Sequence, residues 1–91
     1  MTETLDRKRK RLLFHCTHMG MKENDVLFGA FARAHVADLA ALEIDALEAL
    51  LQNNDLDLFR WVMGQSAVPE TWDTALMARL QNFNKNINNG T

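Results

Sequence analysis

Apolar positions along this chain recur at steps of three and four residues, and polar or glycine-containing turns interrupt the recurrence. Such steps place side chains on one stripe of a helix. Leu5, Leu12, Cys16 and Met19 fall near one stripe, with Leu13 beside it, which predicts a first helix from about Thr4 to His18. Gly20 then suits a left-handed helix cap. Leu27, Phe28, Phe31 and Ala34 predict a second helix from about Asn24 to His35. Asn24 or Glu23 would serve the exposed amides at its start. Ile44, Leu47, Leu50 and Leu51 predict a third helix from about Leu39 to Gln52, broken by Asn53 and Asn54. Leu58, Phe59 and Val62 predict a short fourth helix from about Asp55 to Met63, with Asp55 or Asp57 as its cap and Gly64 as its stop. Trp72, Leu76, Leu80 and Phe83 predict a fifth from about Glu70 to Asn84, with Pro69 where a first-turn proline is tolerated. No period-2 run of β-branched residues competes with this reading. The expected fold is all-α: a single compact five-helix bundle over residues 1–91. Its ordered core should span about 4–84, and the Asn-rich residues 85–91 should fray.

Composition narrows the function. At 91 residues there is room for one domain. A single cysteine, Cys16, makes no internal disulfide and no zinc-finger set. A reducing compartment is therefore expected: the cytoplasm, or the mitochondrial matrix in a eukaryotic cell, although no transit peptide is visible. No apolar run approaches the roughly 20 residues that span a bilayer, so no membrane insertion is expected. The net charge of −2 argues against a protein that coats nucleic acid. Yet the charges are segregated. Residues 1–22 hold six basic residues against two acidic ones, a net of +4, and residues 23–91 hold four against ten, a net of −6. The run Arg7 to Arg11 wraps more than one helical turn, so its members cannot all face one way. No recognition-helix signature or interleaved aromatic residue accompanies it.

Candidate chemistry is sparse. His15 and His18 stand one helical turn apart and could share a metal, with His35 and Glu23 as further ligands, but no established ligand spacing is completed. Cys16 as a nucleophile needs a base, and its sequence neighbour His15 would not face it on a helix. A buried, apolar role for Cys16 is the simpler reading. No glycine-rich phosphate loop, no Ser-His-Asp set and no acid pair with an obvious cleft is present, so no catalytic residue and no metal site is expected. The turn His18-Met19-Gly20-Met21-Lys22-Glu23-Asn24-Asp25 stands apart. It sets a glycine, two methionines and two acids between helices, which reads either as a plain helix hairpin or as an adaptable protein contact.

Several stretches together resemble one family. They are Arg9-Lys10-Arg11-Leu12-Leu13-Phe14, the turn just described, Leu27-Phe28-Gly29-Ala30-Phe31-Ala32, and Asp55-Leu56-Asp57-Leu58-Phe59-Arg60-Trp61. The family is the flavinylation assembly factors of succinate dehydrogenase, which are small five-helix domains. The resemblance covers roughly residues 7 to 83. The family signature is Arg-Gly-x-x-Glu in the turn between the first two helices. Gly20 and Glu23 match it, Met19 stands where the family has Arg, and His18 precedes it. Asp25 falls at a frequent acidic position after the signature.

This resemblance implies an assembly chaperone rather than an enzyme. Its partner would be the flavoprotein subunit of succinate dehydrogenase, or of fumarate reductase in some bacteria, and it would promote covalent attachment of FAD to a histidine of that subunit. FAD would belong to the partner, with none bound stably by this chain, and the free factor is expected to be a monomer. The implied partner-binding residues are Gly20, Glu23, His18, Met19 and Asp25, flanked by Arg9 and Arg11. Two other readings stay open. One is a regulatory or antitoxin-like module with a different partner; the other is a nucleic-acid binder using Arg7 to Arg11.

Overall fold

The first helix, α1 (Leu5–Cys16), begins where Thr4 Oγ1 accepts a hydrogen bond from the Arg7 amide at 3.3 Å. In the computed structural model, which describes residues 4–89 and side chains up to residue 86, α1 stops two residues short of the expected His18. The cause is local competition for its last carbonyls. Thr17 Oγ1 donates to Leu13 O at 2.8 Å, and His18 Nδ1 lies 2.8 Å from Phe14 O, so that nitrogen is the donor. Polar side chains that bond nearby carbonyls end helices in this way. Gly20 plays no part as a left-handed cap, because among the described residues the glycine with positive φ is Gly64.

α2 (Lys22–His35) runs through the middle of the core and buries Leu27, Phe28, Phe31 and Ala32. Its cap position is Met21, with no side-chain cap, so neither Asn24 nor Glu23 performs the expected capping. Ala34 is exposed rather than part of the apolar face, as is Leu5 on α1. A single 3-10 turn, Val36–Asp38, follows, and Leu39 behind it is fully buried. α3 (Ala41–Leu50) presents Ile44, Leu47 and Leu50 inward at steps of three. Glu43 serves both of its neighbours: its Oε1 accepts from the Ala40 amide at 2.9 Å, and its Oε2 pairs with Arg79 at 2.8 Å.

α4 (Asp55–Met63) has the expected bounds and a different cap. Asn54 Oδ1 accepts from the amides of Leu56 and Asp57 at 2.9 and 3.4 Å, so Asp55 is left for other work. Gly64 closes the helix at φ 75°, a left-handed conformation that glycine adopts without a Cβ penalty. The region expected as one fifth helix is two elements. Glu70–Trp72 form a 3-10 turn behind Pro69, and α5 (Ala75–Asn89) starts afresh where Thr74 Oγ1 accepts from the Met77 amide at 3.4 Å. α5 continues through residues 85–89, which were expected to fray; residues 90 and 91 lie outside the described residues. Its Met77 and Leu80 are buried, and Phe83 meets Phe31 of α2 edge to face at 5.4 Å.

The result is all-α, with five α-helices and no strand among the described residues. α2 touches α1 on one side and α4 and α5 on the other, so the α1–α2 turn is carried on the most deeply packed element.

Candidate functional site

The turn of residues 17–21 is built from carboxylates that reach back to it. Asp25, one turn into α2, accepts from the Met19 amide through Oδ1. Asp55, the first residue of α4, accepts from the Met21 amide through Oδ2 at 2.7 Å. Its own carbonyl accepts from Asn24 Nδ2 at 2.8 Å. Gly20 is required for reasons of space: a Cβ at this position would stand 2.7 Å from Asp55 Oδ2. Asn24 is fully buried, and its Oδ1 has no hydrogen-bond partner. Residues 34 positions apart are therefore bonded through one carboxylate, which no spacing rule reveals.

Glu23 differs from these acids. It is exposed on the first turn of α2, and among the described residues no hydrogen bond or ion pair engages its carboxylate. Beside it opens a groove of about 430 Å³, lined by Lys22, Glu23, Val26, Leu27, Phe59, Met63 and Asn84. Val26 is 60% exposed and Met63 37%, so the groove offers apolar surface to whatever approaches Glu23. A second hollow of about 220 Å³ lies behind the turn and brings together His15, His18, Met19, Gly20 and Asp55. Met19 is half-buried and packs against the core, so only part of its side chain is offered outward. The ring of His18 stacks on Phe14, centroids 4.0 Å apart.

Gly20, Glu23, His18, Met19 and Asp25 thus occupy one corner of the molecule, with Asp25 working inside the turn. Arg9 and Arg11 do not join them. Arg9 Nη2 donates to Leu39 O at 3.4 Å, and Arg11 Nε lies 3.9 Å from Glu48 Oε2 on α3. Other members of the basic run are paired as well, Lys8 with Asp45 at 3.1 Å and Lys10 with Asp6 at 3.2 Å. His15 Nδ1 stands 2.9 Å from Glu48 Oε2. Burial, and then the Glu48 carboxylate, push the Cys16 thiol from 9.0 up to about 12, the reverse of what a nucleophile requires. No group of three or more His, Cys, Asp or Glu among the described residues is arranged to hold a metal ion. Nor is any helix there long and apolar enough to cross a membrane.

Residues 10–84 match the family model described as flavinator of succinate dehydrogenase. The chain is 34% identical over 90 residues to a mitochondrial succinate dehydrogenase assembly factor 2 of Candida glabrata, covering 94% of this chain and 59% of that protein. It is 34% identical over 82 residues to the protein of the same name in Dictyostelium discoideum, covering 90% and 58% respectively. The zebrafish (Danio rerio) relative of that name is 33% identical over 86 residues, covering 92% and 54%. The chain therefore spans little more than half the length of these relatives. It belongs to the family of succinate dehydrogenase flavinators.

Proposed function

We propose that this member of the flavinator family is an assembly chaperone that docks on the flavoprotein subunit of succinate dehydrogenase and promotes covalent attachment of FAD. One observation carries the reading. At the signature turn two carboxylates, Asp25 and Asp55, are used in holding the backbone, whereas Glu23 is exposed and engaged by nothing among the described residues. Apart from the modest favour that any acid gains at a helix start, the folded chain makes no internal use of this carboxylate. It is available to donors on a partner, and the apolar groove beside it supplies area that water-mediated contact alone would not.

The chaperone contributes position rather than a catalytic group. Binding that fixes the flavoprotein so that its histidine and flavin are aligned removes much of the entropic part of the barrier. FAD belongs to the partner in this reading. A dinucleotide pyrophosphate would seek backbone amides at a helix start, and here the amides of Met19 and Met21 already face Asp25 and Asp55. Like charge would meet the phosphates there. The same chemistry extends to the flavoprotein of fumarate reductase. This reading puts the work in the cytoplasm, or in the matrix of a mitochondrion, and a lone, free Cys16 is compatible with such a reducing compartment.

The test is Glu23→Ala, expressed in cells lacking the wild-type factor. Helicity and melting should be nearly unchanged, and in-gel flavin fluorescence of the flavoprotein subunit should be lost. Fluorescence equal to wild type would refute the reading. If the variant unfolds, Glu23 is structural and the docking role falls with it.

A further inference from the structure

The signature turn owes its shape to a residue outside it. Asp55 is the first residue of α4, a place where a carboxylate ordinarily serves its own helix. Here Asn54 performs the capping, and the Asp55 side chain is turned instead onto the α1–α2 turn. Three ties converge on this one residue. Its Oδ2 accepts from the Met21 amide, its carbonyl accepts from buried Asn24 next to Glu23, and its carboxylate fills the space that any side chain at Gly20 would need. Asn24 is held in this contact even though its Oδ1 lacks a partner.

We infer that Asp55 is the positioning residue of the docking corner: it holds the backbone of residues 19–21, which leads into the first turn of α2 from which Glu23 projects. This rests on the docking role proposed above. Gly20 and Asp55 then form a coupled pair, in which glycine is needed because Asp55 is there. Two of the four sequence stretches that resemble the family, the turn and the run from Asp55 to Trp61, meet physically at this contact.

The experiment compares Asp55→Ala, Asp55→Asn and Asn54→Ala in the full chain. Two quantities are read: the NMR exchange rate of the Met21 amide in the free protein, and the dissociation constant for the purified flavoprotein subunit of succinate dehydrogenase. Asp55→Ala should speed Met21 exchange and weaken binding, each by about tenfold, the size expected for one charge-assisted hydrogen bond. Asp55→Asn should restore most of both, because an amide oxygen can accept from the Met21 amide. Asn54→Ala destabilises the same helix end without touching the turn, and should leave binding near wild type. Three results would overturn the inference. Asp55→Ala could match wild type in both readouts. Asn54→Ala could weaken binding as much as Asp55→Ala. Both Asp55 variants could lose binding equally with Met21 exchange unchanged, which would make Asp55 a direct contact. If the wild-type chain itself fails to bind the flavoprotein, the docking role fails, and the Met21 exchange rates still decide whether Asp55 holds the turn.

Discussion

At the scale of single residues, burial decides which side chains keep their chemistry. Cys16 has no exposed surface, and its thiol is pushed up to about 12 by that burial and by Glu48. It should resist iodoacetamide in the folded protein at neutral pH and react once the chain is unfolded. The same shift has a consequence for stability. Below pH 9.0 the thiol is protonated in both states; between 9.0 and about 12 the unfolded chain binds fewer protons than the folded one, so folding stability falls as pH rises through that window. Urea midpoints measured below and within the window should fall more steeply for wild type than for Cys16→Ala, and parallel slopes would disprove the linkage. Met19 is the other residue whose meaning changed with the fold. It packs against the core and lines a hollow shared with Asp55 and His18. Met19→Arg would restore the family signature and put a planar, multi-donor group beside those residues. Affinity for the flavoprotein should rise. An unchanged or lower affinity would show that this interface is built around methionine.

At the scale of elements, the helices were legible wherever branched or aromatic residues recur at three and four. Ile44, Leu47 and Leu50 of α3 and Leu58 and Val62 of α4 lie inward as their spacing requires. What was less legible were several of the ends and caps, because these turn on local hydrogen bonds that more than one polar residue could have made. Asn54 caps α4 although Asp55 and Asp57 have the same capacity, and Thr74 restarts α5 after a 3-10 turn that apolar spacing reads straight through. The site divides in the same way. Its residues between 18 and 25 are contiguous and were visible as one motif, whereas Asp55 becomes part of it through a contact that only packing creates. The ends also carry measurable stability. Asn54→Ala should cost about 1 kcal/mol, the usual worth of an N-cap. Gly64→Ala should cost about 1 kcal/mol as well, because any Cβ is strained at φ 75° although nothing lies within 4 Å of it. Chemical denaturation of both variants tests these values, and a Gly64→Ala protein as stable as wild type would mean that the helix end relaxes to a different turn.

At the scale of the whole molecule, the separation of charge along the chain is folded back on itself. The basic α1 lies against the acidic α3, where Lys8 meets Asp45 and where Arg11 and His15 meet Glu48. Each of these pairs keeps one partner open to water, and such pairs contribute about 1 kcal/mol or a little more, so their main effect is on the field rather than on stability. A cation already facing a carboxylate has less to gain from a phosphate, and few counterions would be released on binding one. The exposed groove, by contrast, is lined from α2, α4 and α5, the elements that do not carry the basic run. Two outcomes follow for the same protein. Retention on single-stranded DNA should be weak even at low salt and should change little as salt is raised; strong, salt-sensitive retention would revive the nucleic-acid reading. Arg11→Ala should lower flavoprotein affinity much less than Glu23→Ala, because Arg11 sits across from Glu48 and outside the docking corner. Equal losses would extend the docking face along α1 and restore to the basic run the flanking role that its sequence first suggested.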